Sequence, residues 1–207
     1  MKLYFSPLAC SLATRIALYE AGAEAELVEV NAKTKRTADG RDFRSIHPLG
    51  LVPALELASG KVLTENAAVL QYVARTYPEA RLAPTDPSGL EDLQQWLCFI
   101  GTELHKATFT PLLVAQAGPD AKAYALGLSD ARLRYVSERL AGRDFLLDRF
   151  SVADAYLFTI LSWSLATPVD LKLWPVLAAY RARLAERPSV ARAFAEELAL
   201  YRLREPA

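Results

Sequence analysis

The sequence predicts a small α/β domain followed by an all-helical one, and three observations lead there. The first third alternates strand-like and helix-like runs. Residues 78–88 concentrate Pro78, Pro84 and Pro87 around Asp86 and Ser88, the composition of a linker. Beyond them apolar residues recur at helical spacing. The expected boundaries are 1–77 for the first domain, 78–88 for the linker and 89–207 for the helical domain.

Lys2-Leu3-Tyr4-Phe5 is a short strand that Ser6-Pro7 breaks. Leu12, Ile16 and Tyr19 then mark an amphipathic helix that ends near Gly22. Glu26 to Val30 alternates as a strand does, and the polar stretch through Lys33, Lys35, Arg36 and Asp39-Gly40 is a loop with a short helix around Phe43. Pro53 to Leu57, a Ser59-Gly60 turn and Lys61 to Thr64 form a hairpin. Ala67, Leu70, Ala74 and Tyr77 mark the next helix, so the expected order is β-α-β-α-β-β-α. After the linker, Leu93, Leu97, Ile100 and Leu104 form one apolar stripe; Leu126, Leu133, Val136 and Leu140 form another. Ser151-Val152-Ala153-Asp154 is a capping box with aspartate at its fourth position. The helix it opens, through Trp163, is apolar on nearly every face and belongs in the centre of the second core. Trp174 to Ala185 and Ser189 to Leu198 supply two more helices.

Composition excludes several classes. Of 207 residues, 52% are apolar, enough to offset the entropy of ordering, so the chain folds. Its 24 basic and 24 acidic residues cancel, leaving no bulk positive charge for a nucleic acid. Two distant cysteines and two histidines make neither a disulfide framework nor a metal centre, and suit a reducing, cytoplasmic setting. The first residues lack the apolar run of a signal peptide, and the longest uncharged apolar stretch, 155–169, falls short of the ~20 residues that a membrane span needs.

Four places carry chemistry. Cys10 lies between the first strand and the first helix, where free amides and the helix dipole stabilise a thiolate. A sulfur at a strand-turn-helix junction is how thioredoxin-like folds present a reactive group. In Cys10-Ser11-Leu12-Ala13 no second cysteine closes a local disulfide, which disfavours a dithiol reductase and leaves mixed-disulfide chemistry open; packing of the junction is the alternative. Pro53 begins a strand, where an ordinary trans proline is the alternative; if the domain is thioredoxin-like, a cis Val52–Pro53 bond is expected there, with the Val52 N–H and C=O free to pair with an extended peptide. Thr64-Glu65-Asn66 opens a helix whose amides would bind an anion while Glu65 holds an ammonium, a combination suited to an α-amino-carboxylate; simple capping is the alternative. Finally, Gln94, Cys98, Gly101/Thr102 and His105 fall on one polar strip of an ideal helix, with Cys98 and His105 ~10 Å apart. A histidine there orients or deprotonates a thiol, or is simply solvated.

In combination, Met1-Lys2-Leu3-Tyr4-Phe5, Ala9-Cys10-Ser11-Leu12-Ala13, Val52-Pro53-Ala54-Leu55, Leu63-Thr64-Glu65-Asn66, Thr102-Glu103-Leu104-His105-Lys106 and Phe150 to Tyr156 resemble the bacterial glutathione S-transferases, most of all the beta class with its cysteine in the glutathione site. The resemblance implies an N-terminal thioredoxin-like domain, a C-terminal helical bundle and a cytoplasmic, homodimeric detoxification enzyme that uses glutathione and no metal. It further implies that Cys10 sits against the glutathione sulfur with His105 nearby, and that Val52, before cis Pro53, pairs with the cysteinyl part. By the same resemblance Glu65 and Asn66 hold the γ-glutamyl ammonium and carboxylate, and Lys35 faces the glycyl carboxylate. Thr102 and Glu103 lie on the helix that completes the site, Phe109 and Trp163 line an open apolar pocket for the electrophile or disulfide, and Pro53, Ser151 and Asp154 are structural.

Three departures stand out. The family usually has serine where Asn66 stands, and an amide also donates to a carboxylate. It often has asparagine contributing to the glutathione site where Cys98 stands, and a thiol is a poorer hydrogen-bonder. Ala107-Thr108 replaces a single position; one extra helical residue turns the chain by ~100°, so either a π-type bulge absorbs it or the pocket wall moves. The rival functions are a non-enzymatic binding or carrier protein on the same fold, and a monothiol glutaredoxin with an appended helical domain.

Overall fold

The computed structural model describes residues 1–203, which fall into two compact units: Met1–Ala83 together with the chain from Pro188 onward, and Pro84–Arg187. The last four residues of the domain expected over 89–207 lie outside the described residues.

The first unit is thioredoxin-like. Strands β1 (Lys2–Phe5), β2 (Glu26–Glu29), β3 (Ala54–Glu56) and β4 (Val62–Thr64) form a mixed sheet of order β2-β1-β3-β4. β1 pairs parallel with β2 and antiparallel with β3, and Leu3 stands opposite both Leu27 and Leu55. The parallel pair requires a crossover, and α1 (Ser11–Glu20) supplies it. The second helix of the expected order is only a 3-10 turn, Phe43–Ser45, because Asp42 caps it and its 31–43 approach is folded into turns. α2 (Asn66–Thr76) follows β4 and packs beside α1.

The chain end departs from the sequence expectation. α8 (Pro188–Arg202) belongs to this first unit and packs along α1, although the pattern placed it in the helical domain. Charge is the reason. Arg15 of α1 is buried, ion-paired with Glu196 and, at 3.7 Å, with the fully buried Glu197. Tyr19 donates to Glu196, and Ser189 to Glu20. A helix whose partner charges are supplied by α1 has to lie on α1, since a buried carboxylate without a partner is strongly destabilising.

The second unit is helical throughout. α3 (Pro87–Phe99) starts inside the stretch expected as linker, with Asp86 as its cap accepting from the Gly89 N–H. It runs into a π-helical segment, Ile100–Phe109, and then α4 (Thr110–Leu113), α5 (Pro119–Leu140), α6 (Val152–Ser162) and α7 (Pro175–Ala185). The Leu93, Leu97, Ile100 and Leu104 stripe is buried as predicted, but Leu126 is 39% exposed. Ala125 and Ser129 take the buried positions of α5 instead, because the stripe drawn through Leu126 misses the packed face by one residue. Every residue of α6 is buried. No helix among the described residues is long and apolar enough to cross a membrane.

Asp154 organises this unit. Its fully buried carboxylate accepts from the Leu146 N–H at 2.9 Å, the Ser151 N–H at 2.9 Å, the Ser151 hydroxyl at 2.8 Å and the Tyr180 hydroxyl at 2.8 Å. Burial raises its pKa while those donors pull the other way. Asp154→Ala would strand three buried donors besides the serine hydroxyl, namely the Leu146 and Ser151 N–H groups and the Tyr180 hydroxyl, each costing about 1–3 kcal/mol. The expected loss is at least about 3 kcal/mol, or roughly 10 °C in Tm for a unit of this size. Thermal denaturation followed by circular dichroism measures it, and Asp154→Asn, which keeps one acceptor, should fall between the two.

Candidate functional site

Each unit carries one cluster of candidate residues. In the first, the turn 6–10 delivers Cys10 to the N-cap of α1. Ser6 and Ser11 exchange hydrogen bonds across that turn, both at 3.3 Å. Leu8 adopts a left-handed backbone, φ +59°, with its N–H donated at 2.7 Å to the buried Glu197. Burial pushes the Glu197 carboxyl up, against the pull of that N–H and of the Arg15 charge beside it. The C-terminal helix therefore grips the cysteine turn by its backbone.

The Val52–Pro53 bond is cis. Val52 packs on the cluster of Tyr4, Val30, Phe43 and Ala54. Its carbonyl accepts the Cys10 thiol at 3.2 Å, so this group is engaged by Cys10 and is not the free acceptor expected from the sequence. The Val52 N–H makes no hydrogen bond with the described residues.

Glu65 precedes α2 with φ +65° and an exposed side chain. A non-glycine residue held there costs about 1–2 kcal/mol, a strain that functional sites tend to retain. Asn66, the first residue of α2, is 6% exposed. Its Oδ1 accepts from Thr14 at 3.1 Å, and its Nδ2 has no hydrogen-bond partner. Lys35 is half-buried, and its stem lies against Gly50: a Cβ at Gly50 would come within 3.2 Å of Lys35 Cδ. Burial and the neighbouring Arg44 charge lower the Lys35 pKa, so this edge of the unit favours an incoming anion.

The second cluster is built on the π-helical segment. Thr108 donates to the Glu103 carbonyl and Thr110 to the His105 carbonyl, each at 2.8 Å and each reaching back five residues. Pro111, which has no N–H, follows directly. The segment is thus wound in i→i+5 turns, the π-type geometry expected as one of two ways to absorb an extra residue at Ala107-Thr108. The same widening breaks the polar strip drawn on an ideal helix. Cys98 is exposed, its sulfur accepting from Gln94 at 3.4 Å, whereas His105 is 7% exposed and faces inward. Nδ1 of His105 meets the Tyr156 hydroxyl at 2.7 Å, and Trp163 stands edge-on with ring centroids 5.0 Å apart. Burial, then the Lys106 charge, lower the His105 pKa to about 4.

Phe109 lies edge-on to Trp163 with no exposed surface of its own. Where both were expected to line an open pocket, Phe109 backs the half-exposed Trp163. Glu103 is bound to Arg132 at 2.6 Å, and Thr102 donates to the Cys98 carbonyl at 3.0 Å.

Residues 1–75 match the family model described as "Glutathione S-transferase, N-terminal domain", and residues 95–188 the one described as "Glutathione S-transferase, C-terminal domain". The chain is 40% identical to glutathione S-transferase GstA of Escherichia coli O157:H7 over 95% of its own length and 98% of that protein's. It belongs to the glutathione S-transferase family. Among solved structures, the transferase is similar to the ternary complex of BphK, a bacterial GST, with 44% identity, a TM-score of 0.92 and coverage of 95% and 99%. It is also similar in fold to the bacterial beta class glutathione S-transferase of Sphingomonas chungbukensis, at 42% identity, TM-score 0.90 and coverage of 95% and 98%. A sphingomonad glutathione S-transferase complexed with glutathione gives 43%, 0.90 and coverage of 95% and 98%.

In this transferase Cys10, Val52 and Pro53 come together as the sequence predicts, and Ser151 and Asp154 form their capping box. Three partners escaped sequence reasoning. Thr14 stands four residues after Cys10, on the same face of α1. Tyr156, the last residue of a recognised motif, was not connected with His105. Glu197 sits on a helix assigned to the other domain.

A histidine held near 4 is a neutral hydrogen-bonder at pH 7, not a base matched to a thiol. Its folded pKa is below the unfolded value of about 6.5, so between pH 6.5 and 4 the unfolded chain binds the extra proton. Stability should fall by up to about 3 kcal/mol as pH drops through that window. Denaturant titrations across pH 4–7 should show this slope flattened by close to one proton in His105→Gln.

Proposed function

We propose that the chain binds glutathione in its first unit, with Cys10 beside the glutathione sulfur, and transfers or exchanges that thiol. The observation that carries the reading is Cys10 at the N-cap of α1 with its sulfur 3.2 Å from the Val52 carbonyl, next to a Val52 N–H left for an extended peptide. The sphingomonad relative solved with glutathione supports it. The γ-glutamyl carboxylate meets the Asn66 amide and the free N–H groups at the start of α2, Glu65 takes the ammonium, and Lys35 with Arg44 faces the glycyl carboxylate. A cytoplasmic setting accompanies this reading, because the thiol has to be kept reduced.

In disulfide exchange, the Cys10 thiolate attacks the glutathionyl sulfur of a mixed disulfide, expelling the other thiolate and forming Cys10–S–S–glutathione. A second glutathione thiolate attacks the glutathionyl sulfur, releasing glutathione disulfide and the Cys10 thiolate. In conjugation, the bound glutathione thiolate attacks a soft electrophilic carbon and a leaving group departs with the bonding pair. Neutral His105, held by Tyr156, acts as a hydrogen-bonding group in turnover, and Trp163, backed by Phe109, contacts apolar co-substrate. Thr102, Glu103 and Cys98 stay as expected contributors from the helical unit, and the active form is a homodimer, which sedimentation velocity at micromolar concentration tests.

Cys10→Ala separates the two chemistries. It should lose at least about 100-fold in turnover of a glutathionylated thiol while keeping aryl-halide conjugation within about tenfold, since only exchange needs a bond to Cys10. Equal rates for wild type and variant on both substrates would remove Cys10 from the mechanism. Failure of the wild type to be retained on immobilised glutathione would favour a carrier with another ligand.

A further inference from the structure

Thr14 lies in the interior of α1, wholly buried, and its hydroxyl is directed away from its own helix. Threonines inside helices commonly return their hydroxyl to the carbonyl four residues back. Thr76, Thr102 and Thr159 all do so in this chain, at 2.8–3.0 Å. Thr14 instead donates across to Oδ1 of Asn66 at 3.1 Å. That bond occupies the acceptor end of the Asn66 amide, leaving its donor end, Nδ2, buried and without a partner. A buried amide left unpaired costs about 1–3 kcal/mol, so it is retained where something else uses it. Nδ2 shares the start of an 11-residue helix with the first backbone N–H groups of α2, which have no intrahelical acceptor. The group therefore presents donors only, and its complement is an anion.

We propose that Thr14 is a positioning residue that determines specificity for the γ-glutamyl α-carboxylate of glutathione, by holding the Asn66 amide with its NH2 toward that carboxylate. The inference rests on the glutathione reading above. An amide has a donor end and an acceptor end; turned over, Asn66 would point Oδ1 at the carboxylate and repel it. A hydroxyl at position 66 would rotate to suit any ligand and need no such guide. An asparagine needs one, and Thr14 supplies it.

The test compares glutathione with 4-aminobutyryl-cysteinyl-glycine, which keeps the ammonium and the thiol but lacks the α-carboxylate. Steady-state conjugation of one aryl halide is measured for wild type, Thr14→Val, Thr14→Ser, Asn66→Ser and the Thr14→Val/Asn66→Ser double variant. Thr14→Val should raise KM for glutathione roughly tenfold with kcat within about twofold, the loss of one hydrogen bond to a charged group. Its KM for the decarboxylated thiol should equal that of the wild type. Thr14→Ser should restore glutathione KM, and in the Asn66→Ser background Thr14→Val should add nothing. An equal rise for both thiols, or no rise for either, would overturn the role of Thr14 while leaving glutathione binding intact. A wild type that glutathione does not saturate would overturn both. Should Thr14→Val fold poorly, Thr14→Ala takes its place on the same two thiols: a rise in KM for glutathione alone supports the role of Thr14, and an equal rise for both or for neither overturns it.

Discussion

The carboxylate of Asp154 is the interaction on which the helical unit depends. A fully buried charge is stable only when its lone pairs are occupied, and here the donors come from three separate parts of the chain: the segment around Leu146, the turn at Ser151 and the face of α7 at Tyr180. Satisfying the charge therefore fixes where all three meet the start of α6. Arg139 strengthens the same knot by donating to the Leu146 carbonyl from the end of α5. Once α6 is fixed, so are Tyr156 and Trp163, the two side chains that hold His105.

The thioredoxin-like unit solves a related problem with opposite signs. Arg15 is buried between the rings of Phe5 and Tyr19 and compensated by two carboxylates of α8. One of those carboxylates, Glu197, also accepts from the Leu8 N–H, two residues before the cysteine. Helix docking and the conformation of the cysteine turn are thus one electrostatic arrangement. The opposite side of the turn is set by Val52, which packs on Tyr4 and Phe43 and accepts the thiol.

Local chemistry was legible in the sequence wherever a short motif sufficed. The four strands, the α1 and α2 helices, the cysteine at the junction, the proline at the strand start and the capping box all rest on neighbours in the chain, and each stands where it was expected. Contacts between distant residues were not legible. The docking of α8 depends on Arg15 being buried, which no local pattern announces. Leu126 is a leucine at helical spacing that misses the packed face, because period alone leaves a helix's rotation uncertain by one residue. The inward turn of His105 follows from widened turns that an ideal 3.6-residue period does not contain. The open carbonyl foreseen at Val52 is taken by a thiol 42 positions away.

The π-helical segment has a consequence for how such a helix changes over time. By taking up one residue within Ile100–Phe109, it leaves the packed stripe of α3 in phase on one side and lets α4 begin on the other. Length becomes a variable that can be altered without refolding the unit. The cost of the wider turns is met locally by two threonine hydroxyls, in the residues beside them. The direction in which His105 points is thus set by the winding of the backbone as much as by the side chains around it.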